Sequence, residues 1–103
     1  MHIKLTPQRS DDTLSLARKG SALIINGQSF DFSPLPDDAV LPRDAVDCAY
    51  LASDVTRVGG ILQLTLILPH GANAPRETLF PAAVDLASDG PAKLPPHDIE
   101  VPA

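Results

Sequence analysis

Residues 14–32 read LSLARKGSALIINGQSFDF, three short runs of alternating apolar residues parted by Lys19-Gly20 and Asn26-Gly27. Asn-Gly is the strongest short hairpin signal, because a type I′ turn needs positive φ at both central residues and these two tolerate it best. A two-residue turn there sets Ile25 opposite Gln28 and Leu23 opposite Phe30. Lys19-Gly20, read as a second tight turn with Gly20 left-handed, sets Leu16 opposite Leu23 and Leu14 opposite Ile25. Leu14, Leu16, Leu23, Ile25, Phe30 and Phe32 then share one face of a three-stranded meander. The other face carries Ser15, Ala17, Ala22, Ile24, Ser29 and Asp31. A one-residue slip at either turn would scatter the large side chains over both faces, so the common face argues for the register as well as for strands.

That apolar face requires a cover, and the second half of the chain supplies a candidate. ILQLTLIL (Ile61 to Leu68) puts Leu62, Leu64, Leu66 and Leu68 on one side and Ile61, Gln63, Thr65 and Ile67 on the other, as in a central antiparallel strand. Gly59-Gly60 reads as the turn joining it to a strand around Val55 to Val58. A strict two-residue register would set Arg57 against Leu62 and Ser53 against Leu66, so a bulge or a short partner strand is expected. DAVDCAYLAS (Asp44 to Ser53) alternates as a strand at Val46, Cys48 and Tyr50, although Pro42 followed by Arg43, Asp44 and Ala45 can also start a helical turn; the strand is the favoured reading. Ala83 to Ala87 reads as a further short strand closed by Ser88-Asp89-Gly90-Pro91.

Eleven prolines among 103 residues are roughly twice the usual ~5%. Ten of them fall at Pro34 to Pro42, Pro69 to Pro81 and Pro91 to Pro102, between the apolar runs, and the eleventh is Pro7. Short strands separated by Gly and Pro turns point to an all-β fold, an antiparallel β-sandwich or a strongly curled small sheet with long Pro-rich loops, with a small closed β-barrel as the alternative. The length suits a single domain over 1–103, with 91–103 a Pro-rich strap or tail carrying Leu94, Ile99 and Val101.

Apolar residues make up 44% and charged residues 20%, which fits a folded chain. The net charge of −5 and the scattered lysines and arginines argue against nucleic acid as a partner, because phosphate contacts supply most of that affinity. Four aromatic residues and no tryptophan offer no stacking platform for single strands. A lone cysteine, Cys48, excludes an internal disulfide and a thiolate zinc site. MHIKLTPQRSDD has no apolar leader core, and ILQLTLIL is far short of the roughly 20 residues of a membrane span, so neither a signal peptide nor a membrane is expected.

The connector LILPHGANAPRETLFP (Leu66 to Pro81) holds the residues with the most chemical promise. His70 can act as a base or ligand, Asn73 as an orienting hydrogen-bonder, Arg76 as an anion anchor and Glu77 as a carboxylate partner. Pro69, Gly71, Asn73 and Pro75 equally describe a rigid turn, and that structural reading is the favoured one. His2, His70 and His97 fall in no ligand pattern, so no metal and no cofactor is expected. Asp11-Asp12 and Asp37-Asp38 read as solvated turn residues, and Ser10, Ser53 and Ser88 lack a nucleophile-elbow setting. Cys48 has Asp47, Ala49 and Tyr50 beside it and no cation to activate it, as in a half-buried strand cysteine. No catalytic residue emerges.

FDFSPLPDDAVLPRDAV (Phe30 to Val46), LTLILPHGANAPRETLFP (Leu64 to Pro81) and the INGQSFDF hairpin resemble small uncharacterised proteins encoded among the tail genes of tailed bacteriophages and proteobacterial prophages. The resemblance covers most of the chain. It implies a non-enzymatic role in tail assembly or as a virion accessory, through contact with tail components or with further copies of the chain. It also implies residence in the bacterial cytoplasm during assembly, or in the virion. It supplies no site residue. A small-ligand or glycan-binding module using the His70 to Glu77 loop is the alternative.

Overall fold

In the computed structural model residues 1–94 are described, so the reading of Ile99 and Val101 as part of a strap, and His97, lie outside the described residues. The strands in chain order are β1 (His2–Arg9), β2 (Leu16–Lys19), β3 (Ala22–Ile25), β4 (Gln28–Asp31), β5 (Val40–Leu41), β6 (Val55–Val58), β7 (Ile61–His70), β8 (Val84–Asp85) and β9 (Gly90–Pro91). A 3₁₀ turn, Arg43–Ala45, follows β5, and a single helical turn, α1 (Arg76–Leu79), follows β7. The strands form two sheets, a mixed one ordered β5-β6-β7-β1-β8 and an antiparallel one ordered β4-β3-β2-β9. The two sheets share one buried cluster and close into no barrel.

The meander forms as the turn chemistry dictates. Asn26 and Gly27 sit at φ 50° and 82°, the type I′ requirement, and Leu23 pairs with Phe30 and Ile25 with Gln28. Asn26 does more than turn the chain: its Oδ1 accepts from the Ser15 N–H at 2.6 Å and its Nδ2 donates to the Thr13 carbonyl, which fixes the approach to β2. The other reversal lies one residue later than the sequence suggests, at Gly20-Ser21, with Lys19 opposite Ala22 and Leu16 opposite Ile25 rather than Leu23. Gly20 keeps its positive φ of 60°. Moving the turn by one residue moves the register by two, and because strand side chains alternate with period 2 the apolar face is preserved. Leu16, Leu23, Ile25 and Phe32 are buried, with Leu14 and Phe30 packed at the margin.

β7 is the axis of the other sheet. Leu62, Leu64, Leu66 and Leu68 are all buried, while Ile61 and Gln63 are exposed. β6 pairs with it antiparallel through Gly59-Gly60, both at positive φ, with Arg57 opposite Leu62. The anticipated bulge follows. Thr56 pairs with Gln63, yet Leu51 rather than Ser53 bridges Leu66, so two extra residues are inserted on the β6 side. The insertion buries Leu51, and Ser53 Oγ substitutes for a missing ladder group by accepting from the Thr65 N–H at 2.9 Å.

Two further features depart from the sequence reading. β1 adds to β7 in parallel along its full length, from His2 opposite Gln63 to Arg9 opposite His70, so β7 is flanked on both sides but not by antiparallel strands alone. Ile3 and Leu5 alternate inward from β1 into the core. Residues 44–53 form no strand: the Pro42-led 3₁₀ turn at Arg43–Ala45 prevails, and the chain then folds back through a Cys48 carbonyl to Leu51 N–H turn. Pro42 has no N–H to give to a ladder and its φ of −59° suits a helical start, so the local proline chemistry outweighs the alternation at Val46, Cys48 and Tyr50.

The chain passes between the sheets three times, after β1, β4 and β8, and the last two passages are each held by an inward-facing arginine. Arg57, on the core-facing side of β6, donates from Nε to the Leu35 carbonyl at 2.8 Å and from an Nη to the Phe32 carbonyl at 3.0 Å, fixing the segment that leaves β4 for β5. Arg18, on the core-facing side of β2, donates to the Leu86 carbonyl at 2.6 Å in the segment that leaves β8 for β9. Replacing Arg57 by methionine leaves two half-sheltered carbonyls without their donor, so R57M is expected to lose about 1–3 kcal/mol of unfolding free energy in urea. L66A, which empties a fully buried site, is expected to cost about 2–5 kcal/mol. A change under about 0.5 kcal/mol in R57M would show that the clamp does not hold the passage.

Candidate functional site

The connector after β7 divides into two ends. At the first, the His70 carbonyl accepts from the Ser10 N–H at 3.0 Å, so the backbone here still belongs to the sheet. His70 Nδ1 lies 3.0 Å from the Gly71 carbonyl oxygen. A carbonyl can only accept, so in this contact Nδ1 is the donor. Asn73 is exposed in the turn that follows. At the second end Pro75 opens α1: its carbonyl accepts from the Thr78 and Leu79 N–H groups, and Phe80 N–H closes onto the Arg76 carbonyl. A proline at the start of a helical turn forfeits no internal hydrogen bond and has its φ already set. Thr78 is fully buried and anchors the turn, whereas Phe80, two residues on, is 75% exposed.

The four loop residues named from sequence do not converge. Arg76 turns back over the Phe80 ring, its guanidinium carbon 5.8 Å from the ring centre, an i to i+4 stacking contact. Glu77 instead faces an open hollow of about 530 Å³ that it lines with Phe80, Ala82, Ala83, Val84, Lys93 and Leu94. His70, Asn73 and Arg76 are not among its lining residues. The hollow combines one aromatic ring, one acid and one base. Lys93 carried no signal in the sequence, because its approach depends on the β9 passage returning the chain to this side.

The remaining candidates are engaged in local contacts. Asp37 and Asp38 are exposed turn residues: Asp37 Oδ1 accepts from the Gly60 N–H at 2.9 Å, and Asp38 adopts a positive φ of 62°. Cys48 is half-buried in a turn, not on a strand, with its N–H donated to the Val46 carbonyl. His2 Nδ1 meets Asp85 Oδ1 at 2.7 Å across the β1–β8 pair. Among the described residues no group of three or more His, Cys, Asp or Glu side chains is placed to hold a metal ion. None of the described buried side-chain polar atoms lacks a partner.

Asp31, at the end of β4, has a perturbed carboxyl. The Ser33 N–H, donating to its Oδ1 at 2.9 Å, and then the Ser33 side chain hold it below the ordinary 3.8. A carboxyl depressed on folding stabilises the folded state above its unfolded pKa, and that contribution is lost as the pH falls through the folded value. The Asp31 carboxyl carbon, followed by NMR, is therefore expected to titrate below 3.8; a midpoint at or above that value would contradict the Ser33 contacts. For the connector, T78A is expected to cost about 1–3 kcal/mol because it disturbs a buried polar anchor, while F80A is expected to change stability by less than about 0.5 kcal/mol. Equal effects in urea denaturation would show that α1 is not seated through Thr78.

No protein-family model matches the chain, and neither a curated protein nor a solved structure matches it at a significant level.

Proposed function

We propose that this chain works through protein–protein contact, without chemistry of its own, as a tail-assembly or virion accessory component of a phage or prophage. The observation that carries the reading is an apolar group on the outer side of the five-stranded sheet. Val58 pairs with Ile61 across the β6–β7 turn, and Val40 pairs with Thr56, which points to the same side as Val58. These three large side chains are 58% (Val40), 51% (Val58) and 51% (Ile61) exposed. Apolar side chains gathered on an outer sheet face, beside a two-residue edge strand, gain by being covered. The phage setting comes from the resemblance at Phe30 to Val46 and Leu64 to Pro81.

A second reading draws on the hollow beside α1. Phe80 with Glu77 and Lys93 gives one ring face and two opposite charges, the minimum for holding a small polar ligand such as a sugar. It predicts shifts of the Phe80 ring signals on titration with monosaccharides, and their loss in F80A.

The contact reading is tested by co-expressing the chain with the products of its neighbouring tail genes and purifying through a tag on one member. A defined neighbour should co-purify with the wild type and be lost from V58K/I61K. Because both sites face solvent, the double variant should keep its urea midpoint within about 0.5 kcal/mol of stability. A strictly monomeric chain with blank co-purification against every neighbour would overturn the reading.

A further inference from the structure

Among the described residues the antiparallel sheet has an open edge at β4. Phe32 N–H donates to the Ser21 carbonyl, and Leu23 faces Phe30 two residues earlier, so the ladder bonds between β3 and β4 fall at Gln28, Phe30 and Phe32. The backbone N–H and C=O groups of Ser29 and Asp31 therefore point away from β3, into the space where a further strand would lie. Beside this edge, between the two sheets, is an apolar notch of about 260 Å³ lined by Asp31, Phe32, Pro34, Leu35 and Leu41. Its wall is held in place, because the Phe32 and Leu35 carbonyls are the two that Arg57 grips. A preset edge and notch reduce the ordering cost of an incoming segment.

We propose that β4 accepts an extended segment of a partner protein as an added antiparallel strand, with alternating apolar and basic residues. This rests on the contact reading above and names the partner's chemistry. Residues of the added strand opposite Phe30 and Phe32 project to the inner side, where they cover half-buried Phe30 and enter the notch. Those opposite Ser29 and Asp31 project to the outer side, where the Asp31 carboxylate stands exposed. The segment from Asp31 to Asp38 carries three carboxylates and no cation, and the guanidinium of Arg57 behind it is committed to carbonyls. Lysine or arginine at the outer positions meets that charge. A second copy of this chain is disfavoured as the occupant, because it would bring its own Asp31 and its own excess negative charge to the same edge.

The test uses the intact chain, isotope-labelled for NMR, and two short capped peptides of equal length, one alternating valine with lysine and one alternating valine with glutamate. The valine–lysine peptide is expected to shift the Ser29 and Asp31 amides and slow their hydrogen exchange, the valine–glutamate peptide to do neither, and D31N to weaken binding by about threefold, as one exposed charge pair would. Absence of shifts at Ser29 and Asp31 up to millimolar peptide overturns the proposal. So do equal binding of the two peptides, an unchanged affinity in D31N, or concentration-dependent self-association through these amides. Shifts confined to Val40, Val58 and Ile61 also overturn it while leaving the contact reading standing; the co-purification result with V58K/I61K separates the two failures.

Discussion

The inner row of β7 sets the terms for the rest of the molecule. Four leucines in alternate positions cannot be left to water, and a strand flanked on both sides by β1 and β6 has no edge through which to hide them. They need a roof of similar breadth. The meander supplies Leu16, Leu23, Ile25 and Phe32 from three short strands, and β1 adds Ile3 and Leu5 from the same layer as β7. At roughly 25 cal/mol for each Å² of apolar surface removed from water, the match of these two faces is the main favourable term.

The chain crosses between the layers after β1, β4 and β8, and the last two crossings are each gripped by an arginine. Each of these two carries backbone carbonyls that are partly buried. Arg57 and Arg18 answer the same problem from opposite layers: a guanidinium extends from a core-facing strand position, keeps its stem against apolar neighbours, and gives its N–H groups to carbonyls of the passage. Carbonyl groups, not carboxylates, are the partners, so the clamps need no buried ion pair and carry no large desolvation cost of a second charge. The same clamp on the β4 side holds the wall of the notch, which connects the packing of the core to the surface offered beside the open edge.

The connector after β7 shows how the same letters serve structure and chemistry differently once folded. Its histidine is committed to the adjacent Gly71 carbonyl and its arginine to the Phe80 ring, while its glutamate faces a hollow completed by Lys93 from the far end of the described chain. Sequence proximity placed these four residues in one group; the α1 turn seated through buried Thr78 separates them.

What the sequence by itself determined is local and periodic. The type I′ turns at Asn26-Gly27 and Gly59-Gly60, the inward row of β7 and the common face of the meander follow from φ preferences and a period of two, which need no knowledge of distant residues. That is why a turn displaced to Gly20-Ser21 left the faces unchanged. Only the tertiary structure decided the parallel seat of β1 on β7, the choice of Leu51 as the residue that the expected bulge sets opposite Leu66, and the roles of Arg18 and Arg57. Each depends on groups far apart in the chain. HIKLT alternates as clearly as many strands, but nothing within it names β7 as its neighbour, and an arginine in a strand reads as a surface residue until a passage from the other layer brings it carbonyls to hold.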